Sequence, residues 1–399
     1  MRWRSWGSSI RKGLAQSGPL GPETGHQLWS IHPPFRAIGD LLISVLLILT
    51  LLLTACAPLG VKINVIKIGL VAPFEGRYRY IGYDAIYAAR MAVREINAKG
   101  GIAGWRIDLV AYDDRASPEM AQDAARNLAV DQDVVAVIGH YRGESTAAAQ
   151  PIYAAAHMPL IVIGTWLTAS VNTPQLKTSW HLIPPARQMA QAMVNTADTM
   201  ANQASLAVVA DISQLGESPL TLALCQEADA MLETGYVERS AGDFPLPHAD
   251  AVLSVSPPHI GAENLATWRS RDWRGHYIGG LDCAAGEFTA IAGEAIEGVQ
   301  FVTPYPLPQA LPMSSAQAER GQDIETWITG YQAIGPHVAP PGIYALPTYE
   351  AVYLLSEALA RAIETKRPSD KRIGIATALA TSQRQGMLPG WRNDHRRSR

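Results

Sequence analysis

A single cysteine follows the longest apolar run of this chain, at a position where a thiol could accept a lipid. The sequence Leu53-Thr54-Ala55-Cys56 places small residues directly before the thiol, at the end of the run over residues 41–55. A lipoprotein signal peptidase requires this arrangement, and cleavage would leave a diacylated N-terminal cysteine. Because two or more acyl chains anchor a protein stably to a membrane, Cys56 is predicted to be a lipidation site. The rest of the chain would then work outside the cytoplasm.

The apolar run is interpreted as the hydrophobic region of a signal peptide. Residues 41–55 are too few to cross a bilayer comfortably, because a span needs roughly 20 apolar residues. An uncleaved membrane anchor is the alternative, since Asp40 adjoins the run and no strong charge pair precedes it. Residues 1–40 are positively charged but longer than usual, and are predicted to be a leader of uncertain status. Residues 56–64 are predicted to be a short tether.

Composition restricts the class of protein. The chain has 399 residues, of which 48% are hydrophobic and 17% charged, and this balance is typical of globular proteins. A net charge of −3 without a basic stripe gives no electrostatic support for binding nucleic acid. Three cysteines do not make a disulfide scaffold. Cys225 and Cys283 are expected to be separate buried thiols, with a disulfide between them as the alternative.

Residues that could perform catalysis do not form a recognised motif. The sequence contains no GxSxG, GxxxxGK[ST], HExxH or CxxC pattern, and no GxGxxG follows a predicted strand. Asp113 and Asp114 end a strand and could bind a metal, although carboxylates there more often cap the following loop. His140 lacks a second histidine at ligand spacing and is expected to be a hydrogen-bonded loop residue. Neither an enzyme, a metal site nor a cofactor is predicted.

One segment could bind a ligand through its backbone. Gly143-Glu144-Ser145-Thr146 leads from a predicted strand directly into a helix, where free N–H groups and the helix dipole favour a carboxylate or another acceptor. The alternative is that Ser145 merely caps its own helix. Ligands of open α/β sheets bind beyond the carboxyl ends of the strands. The loops predicted at those ends cover residues 72–81, 139–145 and 164–169.

The elements that would position these residues alternate between strand and helix. The predicted strands cover residues 65–71, 106–112, 134–138, 160–163, 205–210, 251–255 and 277–280. The predicted helices cover residues 82–97, 117–129, 145–156, 219–234 and 347–365. This alternation predicts βαβ units, and therefore an α/β fold with parallel sheets flanked by helices. The stretches 181–185 and 303–312 are predicted to cross between two lobes.

Several stretches also carry the pattern of a known family. They are IKIGLVAP at 66–73, AVREINAKGGIAG at 92–104, VVAVIGHYRGEST at 134–146, and residues 292–299 and 349–352. With them the chain resembles the type I periplasmic binding proteins, in the branch for branched-chain amino acids and amides that serves ABC importers. The resemblance extends from about residue 65 to residue 388, and the lipoprotein form fits it.

The resemblance implies two Rossmann-like α/β lobes that are hinge-joined by three crossing strands. Lobe 1 would cover residues 65–182, lobe 2 residues 183–305, and a return to lobe 1 residues 306–384. Residues 385–399 would be a truncated crossing and tail, and lobe 2 looks shortened between residues 256 and 277.

The implied function is ligand binding without chemistry, followed by docking of the closed form on an ABC permease. The implied ligand is an amino acid or an amide-like small solute. The implied location is the cell envelope, with the membrane bound through Cys56. Two alternatives stay open, namely a ligand sensor that uses the same cleft and a degenerate copy that no longer binds.

The positions that bind ligand in that family carry unusual residues in this sequence. The serine position falls on Gly143, the tyrosine position on Leu215, and the acid position on Leu281, next to Asp282. A bulky Trp166 follows Gly164 and Thr165, where a threonine is usual. With Tyr80, this indole suggests a flat or apolar ligand held by stacking, the alternative being that Trp166 is packed core. The predicted ligand-binding residues are Tyr80, Gly143, Ser145, Thr146, Gly164, Thr165, Trp166, Leu215 and Asp282.

Overall fold

The computed structural model describes residues 42–47, 64–167, 177–201, 205–210, 218–231, 237–240, 248–308, 324–363 and 368–382. The chain divides into two units, residues 1–62 and residues 63–399. In the first unit, residues 42–47 are helical and exposed. Cys56, Leu215 and the predicted tail at 385–399 lie outside the described residues. Within the described ranges, every helix falls short of the length or the apolar character that a membrane span requires.

The first sheet of the second unit has five strands in the order β2-β1-β3-β4-β5, and all of its pairs are parallel. These strands are β1 (Asn64–Ala72), β2 (Trp105–Asp113), β3 (Val134–Gly139), β4 (Leu160–Val162) and β5 (Ser179–His181). All six residues of β3, at the centre of the sheet, are buried. This sheet and the helices against it form lobe 1.

The second sheet also has five parallel strands, in the order β10-β9-β8-β6-β7. The strands are β6 (Leu206–Val209), β7 (Val237–Ser240), β8 (Ala251–Ser254), β9 (His276–Gly279) and β10 (Gln300–Phe301). This sheet is the centre of lobe 2.

Within the described part of the second unit, ten α-helices flank the sheets. They are α1 (Arg79–Ala98), α2 (Pro118–Val130), α3 (Gly143–Ala155), α4 (Ala186–Ala201), α5 (Pro219–Met231), α6 (Pro258–Ser270), α7 (Gly286–Ala292), α8 (Ile324–Gln332), α9 (Ala345–Ala362) and α10 (Pro368–Ala380). Helices α4 to α7 follow strands of lobe 2. After β10 the chain returns to lobe 1, where α8 and α9 pack against α1 and α10 packs against α9 and β3. The predicted α/β fold, with parallel sheets flanked by helices, is confirmed.

Local sequence signals account for several of these boundaries. Helix α2 begins as predicted, because the Ser117 hydroxyl accepts a hydrogen bond from the Met120 N–H at 3.3 Å and Pro118 occupies the first turn. Helix α1 begins earlier than predicted, at Arg79, directly after a 3-10 turn at Gly76–Tyr78. The loop after β1 is therefore shorter than the sequence indicated.

Two segments of the chain differ from expectation. Residues 179–181 form strand β5, so the first crossing segment is confined to Leu182–Pro185. Between residues 256 and 277, where lobe 2 was expected to be shortened, α6 completes a β8-α6-β9 unit. Pro258 occupies the first turn of α6, and the buried Leu265 and Trp268 attach the helix to the sheet.

Neither of the two described cysteines, Cys225 and Cys283, forms a disulfide bond. Cys283 is fully buried, and burial raises the pKa of its thiol to about 12. Its Sγ lies 3.5 Å from the carbonyl of Ser256. Cys225 and Cys283 are therefore separate thiols, as expected, and the alternative disulfide is not formed; Cys225 is half-buried, so the expectation that both are buried holds for Cys283 alone.

Candidate ligand-binding cleft

A cavity of about 330 Å³ opens between the two lobes, within the range of small-molecule pockets. Lobe 1 contributes the loops that follow β3 and β4, and lobe 2 contributes the segments after β8 and β9 and the start of α5. These segments lie at the carboxyl ends of parallel strands, which is where ligands of such sheets bind. The lining residues are Arg142, Gly143, Glu144, Ala147, Gly164, Thr165, Trp166, Leu167, Ser218, Pro219, Leu220, Val255, Leu281 and Asp282.

Five of the predicted ligand-binding residues lie in the wall of this cavity, namely Gly143, Gly164, Thr165, Trp166 and Asp282.

Ser145 and Thr146, which were also predicted to bind ligand, do not line the cavity and lie behind its wall. The Thr146 hydroxyl lies 2.6 Å from the carbonyl of His140 and 2.7 Å from that of Arg142, so it fixes the loop between β3 and α3. Ser145 is fully buried, and within the described structure its Oγ has no hydrogen-bond partner. The alternative that Ser145 caps its helix is wrong, because α3 begins at Gly143 and Arg142 is its N-cap residue.

Tyr80 lies on α1 and does not border the cavity. Its ring is half-buried, with its centroid 6.3 Å from that of Tyr344. Burial raises the pKa of the Tyr80 phenol well above its ordinary value. Within the described structure its hydroxyl is buried without a hydrogen-bond partner. The structure therefore places Tyr80 beside residues of the cleft, separated from its open space.

Trp166 lies at the cavity and is also packed against apolar core residues. Its packing partners belong to the apolar cores of both lobes. The indole N–H donates a hydrogen bond to the carbonyl of Pro184 at 2.8 Å, in the first crossing segment. The ring is thus held by the backbone that joins the lobes.

An ion pair connects the lobes across the cleft. The Arg142 guanidinium of lobe 1 lies 2.8 Å from a carboxylate oxygen of Asp282 in lobe 2, and the two side chains are 9% and 16% exposed. The Tyr344 hydroxyl donates to the other oxygen of Asp282 at 2.9 Å. The guanidinium also lies over the ring of Tyr78, 4.2 Å from its centroid.

Burial opposes the positive charge of Arg142, but the attraction of Asp282 outweighs it, so the pKa of the guanidinium is raised. Sequence reasoning selected Asp282 and missed Arg142. The residues are 140 positions apart, and no spacing rule relates them.

A buried group of polar side chains supports the loop after β3. His140 Nδ1 lies 2.8 Å from a carboxylate oxygen of Asp114, and its Nε2 lies 3.1 Å from the hydroxyl of Tyr153. Asp113 accepts backbone N–H bonds from Phe74 and Arg115. Both acids therefore stabilise loops, and the described residues contain no group of three side chains that could hold a metal ion.

The backbone at Gly164 requires glycine. Its φ is +73°, and a Cβ atom there would overlap the ring of Tyr344. Its N–H donates to the hydroxyl of Tyr305 at 3.3 Å. The loop after β4 is therefore held against the segment that leaves lobe 2.

A model of the family described as "Periplasmic binding protein" matches residues 65–399. The chain belongs to this family. As a periplasmic binding protein it holds a ligand and is not an enzyme.

Individual relatives agree with the family assignment. The leucine-, isoleucine-, valine-, threonine- and alanine-binding protein of Pseudomonas aeruginosa is 26% identical over 319 residues, which cover 75% of this chain and 79% of the relative. Among solved structures, the branched-chain amino acid transporter substrate-binding protein LivJ of Streptococcus pneumoniae, in complex with isoleucine, matches with a TM-score of 0.67 at 20% identity, covering 81% of this chain and 90% of that one. The leucine-binding protein LivK of Thermotoga maritima matches with a TM-score of 0.65 at 22% identity, covering 81% and 89%. The two structures share the fold of this periplasmic binding protein.

Proposed function

We propose that this chain is the substrate-binding protein of an ABC importer, and that it takes an amino acid, an amide or a related small solute between its lobes. The observation that carries the proposal is the cavity with walls from both lobes, at the carboxyl ends of the strands. The Pseudomonas aeruginosa relative is named as an amino-acid-binding protein, which supports the class of solute. Leu215 and the described residues Gly143, Gly164, Thr165, Trp166 and Asp282 are the proposed ligand contacts.

The proposed mechanism is closure of a hinge around the solute. A ligand that touches both lobes stabilises the closed arrangement relative to the open one, and the shift in population equals its differential affinity. Leu182–Pro185 and the segment after β10 join the lobes and would bend during this motion. The closed form would then dock on the permease subunits in the membrane.

Ligand-dependent stabilisation tests this function directly. The full chain, purified in detergent, would be heated with single solutes such as leucine, isoleucine, valine, alanine, threonine, acetamide and urea. A solute at 100 times its dissociation constant should stabilise the folded state by about 2.7 kcal/mol. Failure of every solute class to raise the melting temperature would contradict the function.

We further propose that the chain works outside the cytoplasm, anchored by lipid at Cys56. The apolar run that ends at Ala55 supports this location. Cells expressing the protein would be labelled with radioactive palmitate and separated into membrane and soluble fractions. Label should enter the wild type and the Cys225→Ser control and be lost from Cys56→Ser. Equal labelling of Cys56→Ser would exclude the anchor.

A further inference from the structure

Two of the three described charged residues that line the cleft, Arg142 and Asp282, are paired with each other. Among the described residues that line the cavity, Arg142 carries the one positive charge, and Glu144 and Asp282 carry negative charges. Arg142 is held by Asp282 at 2.8 Å, and Asp282 also accepts a hydrogen bond from Tyr344. Both residues line the cavity, so a ligand there would lie next to a pair of charges that already compensate each other.

We infer that the cleft selects an uncharged, amide-like solute over a carboxylate or a zwitterionic amino acid. The inference rests on the proposed function, because it specifies which small solute the cleft holds. A zwitterion needs a cation for its carboxylate and an acid for its ammonium group. Arg142 and Asp282 have the required charges, but each already neutralises the other.

Electrostatics argue most strongly against a free carboxylate. A ligand carboxylate would approach the carboxylates of Asp282 and Glu144, and it would compete with Asp282 for the guanidinium of Arg142. Moving a charged group out of water is costly unless a partner compensates it. Asp282 would lose its own compensation if Arg142 turned towards the ligand. Because Tyr344 also bonds to Asp282, that exchange would disturb two lobe-bridging contacts at once.

The rest of the wall suits a neutral ligand with an apolar body. Trp166, Leu220, Val255 and Leu281 provide apolar surface, and Thr165 provides an uncharged polar group.

The start of α3 can bind the polar end of such a ligand. Gly143 opens the helix at the cavity wall, and the described structure gives the N-cap residue Arg142 no side-chain capping bond. An amide carbonyl can accept hydrogen bonds from the backbone N–H groups of this first turn. A neutral carbonyl also avoids the repulsion that Glu144, in the same turn, exerts on an anion.

Calorimetry at pH 7 with three probes that share one branched body tests whether the cleft prefers an amide, a carboxylate or a zwitterion. The probes are 4-methylpentanamide, 4-methylpentanoate and leucine. For the full chain in detergent, we expect the amide to bind at least about tenfold more tightly than the other two.

The variant Asp282→Asn frees Arg142, and the preference for amide over carboxylate should then fall by about tenfold or more, since a freed guanidinium binds a carboxylate strongly. The matched control is Glu287→Gln, an acid of lobe 2 that does not line the cavity; it should keep the wild-type preference. A second variant, Arg142→Gln, frees Asp282 instead and should gain affinity for 4-methylpentylamine. Circular dichroism establishes that each variant is folded.

The outcomes distinguish the inference from the function on which it rests. Tighter binding of leucine than of the amide by the wild type would overturn the inference and leave a solute-binding function intact. Unchanged preferences in both folded cleft variants would also overturn it. Binding of no probe and of no solute in the wider panel would overturn the proposed function together with the inference.

Discussion

The hydroxyl of Tyr305 donates a hydrogen bond to the carbonyl of Leu182, and this bond ties together the two described segments that join the lobes. The same oxygen accepts the N–H of Gly164 at 3.3 Å. Tyr305 is 1% exposed, so water does not replace these partners. The hydroxyl therefore connects the segments that join the lobes to the loop that borders the cavity.

Removing that hydroxyl should destabilise the protein. Tyr305→Phe leaves the buried carbonyl of Leu182 and the N–H of Gly164 without their partner, which costs about 1–3 kcal/mol. Urea unfolding at pH 7 measures the loss. The control is Tyr83→Phe, because Tyr83 is 46% exposed and should lose little. Equal losses in the two variants would show that the bond between Tyr305 and Leu182 contributes nothing to stability.

Gly164→Ala should reduce the free energy of unfolding by more than the strain of a positive φ alone would. The new Cβ adds the strain of a positive φ to an overlap with the ring of Tyr344. Gly76→Ala is the matched control, because its φ is +78° and nothing lies within 4 Å of the added atom. The control should lose about 1–2 kcal/mol. The difference in melting temperature between the Gly164→Ala and Gly76→Ala variants measures the effect of the overlap with Tyr344. Equal melting temperatures would show that the overlap costs nothing.

His181 should make the protein less stable in acid. Burial, and then the charge of Lys177, lower the pKa of His181 from 6.5 to about 4. Between those pH values the unfolded chain binds a proton that the folded protein does not, so stability is lost as pH falls through the window. The loss is at most about 3 kcal/mol. Urea midpoints at pH 7 and 4.5 should differ less in His181→Gln than in wild type, whereas the exposed His248→Gln should behave like wild type.

Asp84 should produce the opposite trend. Burial raises the pKa of Asp84 from 3.8 to about 7, although N–H bonds from Gly342 and Tyr344 lower it. The folded protein therefore keeps a proton between about pH 4 and 7 that the unfolded chain releases, and stability falls as pH rises through that window. The contribution is up to about 4 kcal/mol.

Asp84→Asn removes this titration. As pH rises from 4 to 7, the variant should therefore not lose the contribution that the wild type loses, and its free energy of unfolding should rise relative to that of the wild type. The control is Asp123→Asn, a carboxylate whose side chain is 69% exposed. A pH profile of Asp84→Asn that overlays the wild type would contradict the assignment.

The contacts of Arg372 between α10 and lobe 1 should contribute to stability. Its guanidinium donates to the carbonyls of Val134 at 3.0 Å and Asp131 at 2.7 Å, and more weakly to those of Ala129 and Ala156. Arg372→Lys keeps the charge but loses the planar fork that reaches several acceptors, and should cost about 1–3 kcal/mol in urea unfolding. Arg126→Lys, at an exposed site, should cost much less. If Arg372→Lys were as stable as the wild type, a positive charge at this position would be enough to hold α10.

The repeating units of the fold could be predicted because their signals are local. The apolar run of β3 and the cap at Ser117 lie within a few residues of the elements that they define. Strand β5 has three residues, too few to show a period, and its role depends on pairing with β4. The sheet order likewise depends on contacts between distant parts of the chain.

The position of the candidate cleft could be anticipated from the sequence, but the ion pair in its wall could not. The rule that ligands bind at strand ends indicated the loops around Gly143 and Gly164, and both border the cavity. The partner of Asp282 could not be found, because only the packing of two lobes brings Arg142 to it. The contacts of Leu215 and the lipid at Cys56 stay predictions.

The position of Trp166 makes its fluorescence sensitive to the state of the cleft. Trp166 lines the cavity and its indole N–H bonds to the carbonyl of Pro184, so filling the cavity or bending that segment should change the surroundings of the chromophore. Trp180, Trp268 and Trp327 are almost completely enclosed, and a guest molecule cannot reach them. Emission from a variant that keeps Trp166 as its sole fluorophore would follow occupancy and domain motion without an attached dye.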